Sequence, residues 1–261
     1  MKRNHSLVAA LTLATAIFPI VARAAEWTEN ITMIVTVDGK PAGAARVYDS
    51  SDFQRMLLVP GGMPLAFILE LGDRVAYSVP ADSVHMTAEG EAAVGPGGQE
   101  YAAGIEDLKG VMLFTVGEHK YTLDTIPPLI GLTPLGRILT LKPSYVVDGL
   151  AYKPDDAAIK AIRAVDSDTE IHVYFGTWCH LCRNLVPKLI KTLEVAANPK
   201  IKVAYYGVDE DHKEPAAELA REAVLTTPTI LVIRGGREIG RIEEKVTLSL
   251  EGDLAQILSS R

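Results

Sequence analysis

Helical and extended patterns alternate along the last part of the chain, from residue 148 to residue 261. The segments KPDDAAIKAIRAV, EIHVYF, CHLCRNLVPKLIKTLEVAAN and IKVAYYGVD predict a helix, a strand, a helix and a strand in turn. A further helix, two strands around Gly235-Gly236 and a terminal helix complete the order αβαβαββα. A strand–helix–strand unit followed by a hairpin forms a mixed central sheet with helices on both faces. We therefore predict an α/β domain at 148–261.

Residues 25–147 follow a different pattern, in which short apolar runs are separated by Gly and Pro. Such runs, for example LAFILELGDRVAYSVP and GVMLFTVGEHKYTLD, are typical of strands and turns. Two extended runs flank Asp38-Gly39, a dipeptide that favours a hairpin. We predict a β-rich N-terminal domain that could form a homodimer, dock a client or cap the second domain. The Pro-rich segment IPPLIGLTPLGRILTLKPSY has no clear pattern and is left unassigned.

Residues 1–24 are predicted to be a secretory signal peptide. A basic start, MKR, precedes an apolar run that ends in Ala22-Arg23-Ala24, a small-residue cleavage pattern. The alternative, an uncleaved membrane anchor, is less favoured because the apolar run is short for a bilayer span. Cleavage would leave a mature periplasmic protein that begins near Ala25.

The charge of the chain argues against a nucleic-acid partner. Loss of the three basic residues of the signal peptide would take the net charge from −7 to −10. Nucleic-acid binding depends on clustered Lys and Arg that neutralise phosphates, and no such cluster is present in the sequence.

The chain has two cysteines, Cys179 and Cys182, in the motif WCHLC. A disulfide between them would close a very short loop, which constrains the unfolded chain little, so a structural role is a poor explanation. A structural Cys₄ zinc site would need a second pair of cysteines, which the sequence lacks. In an exported protein, thiol–disulfide exchange is therefore the leading interpretation.

The predicted elements place Cys179 where a strand ends and a helix begins. Free backbone N–H groups and the helix dipole at this point favour a thiolate, so Cys179 is predicted to be an exposed nucleophile. Cys182 lies one turn further along and is predicted to be a buried resolving thiol. A protonated His180 would stabilise the thiolate further, and Trp178 is expected to pack beside Cys179.

The motif FGTWCHLC, Pro187 after it, then TTPT before a strand and RGGREIGRI resemble the thioredoxin superfamily in the same order. The resemblance covers about residues 150–261. It implies a thioredoxin-like fold and a thiol–disulfide oxidoreductase. It also implies a cis peptide bond between Thr227 and Pro228 that faces the cysteines and pairs with the backbone of a client peptide.

The sequence departs from thioredoxins in the buried charged pair beside the site. Val173 stands where they carry an aspartate, and Tyr205 stands where they carry a lysine, so the proton acceptor for Cys182 is open. Glu243 and Glu244 are candidates, since Glu244 falls where thioredoxins carry a glycine near the site, but a solvated acidic turn is an equally good interpretation. The His-Leu dipeptide between the cysteines matches neither thioredoxin nor the DsbA-type oxidant, so the direction of electron flow is also open.

The predicted function is a periplasmic thiol–disulfide oxidoreductase that acts on protein thiol or disulfide clients. As a reductant it would need electrons from a membrane thiol carrier. The alternative is a copper-binding or redox-inactive thioredoxin-fold chaperone using Cys179, Cys182 and His180, since thiolates select Cu(I). We predict no cofactor and no resident metal. The remaining histidines considered show no metal-ligand spacing, and they are His85, His119, His172 and His212.

Overall fold

The structure is a computed structural model that describes residues 27–87 and 90–260. The predicted signal peptide therefore lies outside the described residues. Within them, no helix combines the length and the apolar character needed to span a membrane.

The N-terminal part is built from short strands, as its sequence pattern predicts. One 3-10 turn, at Ala81–Ser83, interrupts them. In chain order the strands are β1 (Trp27–Glu29), β2 (Met33–Val37), β3 (Lys40–Pro41), β4 (Arg46–Ser50), β5 (Arg55–Val59), β6 (Leu65–Glu70), β7 (Val75–Pro80), β8 (Val84–Met86), β9 (Glu91–Val94), β10 (Glu100–Gly104), β11 (Glu106–Leu108), β12 (Val111–Val116) and β13 (His119–Thr125).

These strands form two antiparallel sheets among the described residues. The first sheet has the order β10-β7-β6-β5-β4-β1-β9-β8, and the second has the order β11-β12-β13-β2-β3. The sheets share one core, in which Phe67 from the first sheet contacts Phe114 and Tyr121 from the second. The opposite face of the first sheet buries a separate cluster around Trp27 and Ile68. Burial on both faces explains why the central strands have nearly continuous apolar runs.

The predicted hairpin at Asp38-Gly39 is present, but it is shorter than the sequence pattern indicates. Strands β2 and β3 pair on either side of the turn, and both turn residues have positive φ (53° and 76°). The second extended run does not continue this hairpin. It becomes β4, which pairs with β5 and β1 in the first sheet. Local turn chemistry specifies the turn, whereas burial of β4 between two other strands decides its partners.

The C-terminal part follows the predicted order αβαβαββα from residue 156 onward, after two short helices and a strand that were not predicted. The elements are β14 (Gly131–Leu132), α1 (Leu135–Leu141), α2 (Ser144–Ala151), α3 (Asp156–Arg163), β15 (Thr169–Phe175), α4 (His180–Ala196), β16 (Ile201–Gly207), α5 (Ala216–Arg221), β17 (Thr229–Arg234), β18 (Arg237–Glu243) and α6 (Leu250–Ser259). The five strands form a mixed sheet with the order β14-β16-β15-β17-β18. In it, β15 is parallel to β16 and antiparallel to β17.

The unassigned Pro-rich segment belongs structurally with this α/β part. Strand β14 adds to the sheet edge at β16, and residues of α1 and α2 enter the same core as the two cysteines. A Cβ atom on Gly207 would lie 2.0 Å from the carbonyl oxygen of Leu129, so only glycine permits this close approach. The predicted domain boundary, between residues 147 and 148, falls inside α2, and the division of the chain into domains stays a prediction.

An ion-pair network joins the N-terminal strands to the α/β part. Arg46 of β4 binds Asp148 of α2 at 2.8 Å, and Arg183 of α4 binds both Asp148 and Glu29 of β1. These four side chains are only 13–23% exposed, so their charges are poorly screened. The network fixes the first sheet against the helix that carries Cys182.

The aromatic core shared by the two N-terminal sheets should dominate their stability. Phe114→Ala is expected to lower the free energy of unfolding by about 3–5 kcal/mol, because it removes a fully buried ring. Phe53→Ala is the matched control: the Phe53 ring is 72% exposed, and its loss should change stability by no more than about 0.5 kcal/mol. Urea unfolding followed by circular dichroism measures both, and equal losses would contradict this assignment of the core.

Candidate functional site

The site forms at the junction between β15 and α4. Strand β15 ends at Phe175, a three-residue turn follows, and Cys179 is the N-cap of α4. The Cys179 Sγ accepts a hydrogen bond from the backbone N–H of Cys182 at 3.1 Å, as a Ser or Asp oxygen does in an ordinary N-cap. The predicted placement of both cysteines at a helix start is confirmed.

The prediction that Cys179 is exposed is wrong. Its side chain is buried, with 6% relative exposure, and Cys182 is completely buried, as predicted. Both are free thiols, and in its protonated form the Cys179 Sγ donates to the carbonyl oxygen of Thr227 at 3.3 Å. The capping bond turns Sγ towards the first turn of α4, and the Thr227 loop then covers it.

The two thiols have opposite acidities. A hydrogen bond from the Cys182 thiol lowers the pKa of Cys179 to about 6; burial opposes this, while the Cys182 and Leu181 backbone and the Thr227 side chain act with it. Burial, together with the hydrogen bond to Cys179, raises the pKa of the Cys182 thiol well above its usual range. Near neutral pH the pair therefore consists of a Cys179 thiolate and a Cys182 thiol, the division expected of a nucleophile and a resolving thiol.

The Thr227–Pro228 peptide bond is cis, as the resemblance implies. This loop lies against the cysteines, because the Thr227 carbonyl oxygen is the acceptor for Cys179. The next carbonyl, that of Pro228, accepts a hydrogen bond from the backbone N–H of Glu244 at 2.9 Å. The loop is thus held from both sides, by α4 and by the residue that follows β18.

Trp178 is fixed beside Cys179. Its indole N–H donates to the carbonyl oxygen of Val208 at 3.0 Å, and its ring meets the His212 ring edge-on, with centroids 5.4 Å apart. A Cβ atom on Gly176 would lie 2.5 Å from the Trp178 ring, so the turn before the cysteines requires glycine. The indole therefore forms a rigid wall of the site.

Two clefts open on either side of Trp178 and His180. One, of about 310 Å³, contains Cys179; the other, of about 350 Å³, lies between this site and the N-terminal strands. Their linings share Trp178 and His180, so the clefts adjoin. The first is lined by Trp178, Cys179, His180, Leu181, His212, Thr226, Thr227 and Glu244. The second is lined by Thr28, Glu29, Asn30, Ile31, Thr32, Asp49, Ser50, Ser51, Phe53, Trp178 and His180.

His180 is exposed at the first position of α4, next to the nucleophile. Within the described residues, the hydrogen bonds to Cys179 Sγ involve Cys182 and Thr227 rather than His180. The lowered pKa of Cys179 thus has causes other than the imidazole, and the influence of His180 stays a prediction.

The structure separates the two glutamates proposed as proton acceptors. Glu244 lines the cleft of Cys179 and has a positive φ of 54°, which fits a position where a glycine is usual. The Glu243 carboxylate binds Arg241 at 3.0 Å. A role for either in deprotonating Cys182 stays a prediction. Val173 and Tyr205 are both buried and face each other in the register of β15 and β16, so these two positions provide no carboxylate.

Sequence reasoning missed Lys142, which lies between α1 and α2 and is 2% exposed. Its Nζ donates to the carbonyl oxygens of Ile31 at 2.6 Å and of Thr177 at 2.9 Å. Burial, followed by the charge of Arg183, lowers the pKa of Lys142 to about 8. The available signal was a single lysine in the otherwise uncharged run ILTLKPSY, within the segment left unassigned.

The copper alternative gains no third ligand from the fold. Over residues 27–87 and 90–260, no three or more His, Cys, Asp or Glu side chains come together in an arrangement that could hold a metal ion. His180 adjoins the cysteines in sequence but forms no such group with them.

The hydrogen bond from Cys182 predicts how Cys179 titrates. Cys182→Ala removes the thiol donor and should raise the pKa of Cys179 from about 6 towards its usual value of 9.0, so alkylation by iodoacetamide would reach half-maximal rate at higher pH. Cys182→Ser is the matched control, because its hydroxyl can still donate and should keep most of the shift. Rates are followed by mass spectrometry. Identical midpoints in all three proteins would contradict this origin of the acidity.

Comparison with known proteins supports the resemblance of the C-terminal part to thioredoxins. The family model described as Thioredoxin matches residues 159–257. Thioredoxin from Echinococcus granulosus is 35% identical over 96 residues, which cover 37% of this chain and 77% of that protein. Thioredoxin-2 from Saccharomyces cerevisiae is 30% identical over 69 residues, covering 26% of this chain and 61% of that protein.

Among solved structures, Fasciola hepatica thioredoxin is 25% identical with a TM-score of 0.28, covering 38% of this chain and 86% of its own. Trxlp from Edwardsiella tarda is 20% identical with a TM-score of 0.30, covering 41% of this chain and 96% of its own. On the sequence relatives and the family model, the chain belongs to the thioredoxin family, with a thioredoxin-like domain at its C-terminus behind a β-rich N-terminal region.

Proposed function

We propose that this protein is a periplasmic thiol–disulfide oxidoreductase that exchanges disulfides with protein cysteines. Membership of the thioredoxin family supports thiol–disulfide oxidoreductase chemistry. The observation that carries the proposal is the asymmetric pair, a Cys179 with lowered pKa at the N-cap of α4 beside a completely buried Cys182 with raised pKa.

In the reducing direction, the Cys179 thiolate attacks a client disulfide. A bond forms between the Cys179 sulfur and one client sulfur, and the other client sulfur leaves as a thiolate. Cys182 then loses its proton and attacks the Cys179 sulfur, which releases the second client thiolate. The products are a Cys179–Cys182 disulfide and a client that has gained two electrons; the proton from Cys182 passes to a released client thiolate or to solvent. The oxidising direction is the reverse.

The cleft around Cys179 suits an extended client segment. Its floor is the cis-Pro loop, whose Thr227 carbonyl lies within hydrogen-bonding distance of the nucleophile, and its walls are Trp178 and the exposed Leu181. A client backbone beside Thr227 would pair with the loop as an added strand. Since the second cleft adjoins this one, the N-terminal strands would contact residues of the client on one side of its cysteine.

The direction of exchange depends on the reduction potential of the cysteine pair. A value near that of thioredoxin, about −270 mV, would make the protein a reductant that draws electrons from a membrane thiol carrier. A value towards about −120 mV would make it an oxidant or isomerase, in which His180 would favour the reduced form. Association through the N-terminal strands into a homodimer belongs to the same proposal.

The proposed location predicts the amino terminus of the mature protein. Expressed from its full sequence in a bacterial host, the protein should be recovered from the periplasmic fraction with Ala25 as its first residue, as measured by intact mass and Edman sequencing. A substitution of the small residues at the cleavage pattern, Ala22→Arg with Ala24→Arg, should block processing. An intact Met1 on protein that remains in the cytoplasmic fraction would contradict this part of the proposal.

The proposed mechanism predicts a trapped intermediate. Cys182→Ala lacks the resolving thiol and should accumulate a mixed disulfide between Cys179 and a client such as insulin, seen as an adduct that dithiothreitol removes. The Cys179→Ala variant is the matched control and should form no adduct, and its exchange rate should fall to the uncatalysed rate. Turnover by Cys179→Ala, or no adduct with Cys182→Ala, would overturn the assignment of the two thiols.

A further inference from the structure

Lys142 is a buried cation that the exchange mechanism does not use. It is contributed by the turn between α1 and α2, before the residues that match the thioredoxin family model. Its Nζ reaches the carbonyl oxygen of Thr177, two residues before Cys179, and lies 5.6 Å from the centre of the Tyr145 ring. Tyr145 packs in the same core cluster as Cys179 and Cys182. The ammonium thus borders the core that encloses both thiols.

A buried ammonium is stabilised by hydrogen bonds and by nearby anions. The two carbonyl oxygens satisfy two of its three N–H donors. Glu29 of β1 favours its charge, but the Glu29 carboxylate is already shared by Arg46 and Arg183.

The other groups around Lys142 either oppose or favour its positive charge. Arg183 of α4 opposes the charge of Lys142, and the Asp148 carboxylate of α2 is bound by Arg46 and Arg183. Tyr145 presents its ring. The thiols of Cys182 and Cys179 are further anion-forming groups, and both favour the charge of Lys142.

We propose that Lys142 is a positioning residue that favours the reduced, thiolate-bearing cysteine pair over the disulfide, by placing a positive charge behind the thiols and holding the Thr177 carbonyl. In this core, Val173 and Tyr205 occupy the paired positions where thioredoxins carry an aspartate and a lysine, so neither position is charged. The inference deepens the proposed function and rests on it for its role in turnover, although the coupling itself involves only residues of this chain.

The sign of the coupling follows from the charges. The Cys179 thiolate is present in the reduced protein and absent from the disulfide, so Lys142 loses an anionic neighbour on oxidation. Its ammonium is therefore more stable in the reduced protein, and by reciprocity that ammonium stabilises the thiolate. A cavity of about 40 Å³ bordered by Lys142, Glu29, Ile31 and Arg183 is large enough to admit a water molecule, which gives the amine a route for proton exchange.

Two measurements on full-length protein test the coupling. Lys142→Met removes the charge and keeps an unbranched side chain; it should raise the midpoint pH of Cys179 alkylation above the wild-type value. It should also shift the equilibrium with glutathione towards the disulfide. Lys188→Met is the matched control, because Lys188 lies on α4 over the Tyr152 ring and should leave both values unchanged.

A purely structural role for Lys142 gives a different result. In that case Lys142→Met would lower the melting temperature but leave the alkylation midpoint and the glutathione equilibrium at their wild-type values, which would overturn the inference. Lys142→Arg keeps the positive charge and should restore both values if the charge is what matters. An arginine variant that folds but behaves like Lys142→Met would also overturn it.

A measurement on the wild-type protein covers the case in which the methionine variant does not fold. With lysine side chains labelled with ¹³C, the titration of Lys142 is followed by NMR in the reduced and in the oxidised protein. The inference requires a lower pKa for Lys142 in the oxidised protein, and equal values would overturn it. None of these experiments uses a client, so a protein that fails to trap insulin would defeat the proposed function while leaving this coupling to be judged separately.

Discussion

The hydrogen bond from the Cys182 backbone to the Cys179 sulfur is the contact on which the site depends. It requires a strand that stops at Phe175, a turn in which Gly176 makes room for Trp178, and a helix with a free N–H in its first turn that points back at the sulfur. The same bond turns Sγ inward, beneath the Thr227 carbonyl. Burial of the nucleophile therefore follows from this capping geometry, and the capping bond adds to the acidity that the Cys182 thiol gives Cys179.

The residues before the family match are part of this site rather than an attachment to it. Glu29 ends β1 and Ile31 lies in the loop that follows it, yet they bind Arg183 and Lys142 around the helix of the cysteines. The partly buried ion pairs would be costly to break singly, because each would leave its partner charged and poorly hydrated. The N-terminal strands thus fix one side of the active-site helix, and the cleft beside Trp178 is their contribution to the surface around it.

The features that depend on interactions between residues close in sequence could be predicted, whereas those that depend on residues far apart in sequence could not. Helices α3 to α6, the strands between them and the place of Cys179 follow from periodicity and end signals within a few residues. The Asp38-Gly39 turn is equally local, whereas the sheet that β4 joins is not. Lys142 depends on contacts with Ile31, 111 residues away, and with Thr177, 35 residues away. A Pro-rich segment gives no periodic signal, so its strand and helices, and the buried lysine between them, appear only with the tertiary structure.

A lysine ammonium behind the thiols has a different chemical effect from the carboxylate that thioredoxins carry beside theirs. A carboxylate can take the proton of the resolving thiol, whereas a charged lysine cannot accept it and instead lowers the free energy of the thiolate that remains. In this chain Val173 occupies the carboxylate position, so the Cys182 proton has to leave by way of a client thiolate, solvent or a group such as Glu244. The cation favours the state before oxidation, and its effect fades as the thiolate is consumed. A buried cation at Lys142, in place of a carboxylate at position 173, therefore shifts the balance of the cysteine pair towards the dithiol without supplying a base.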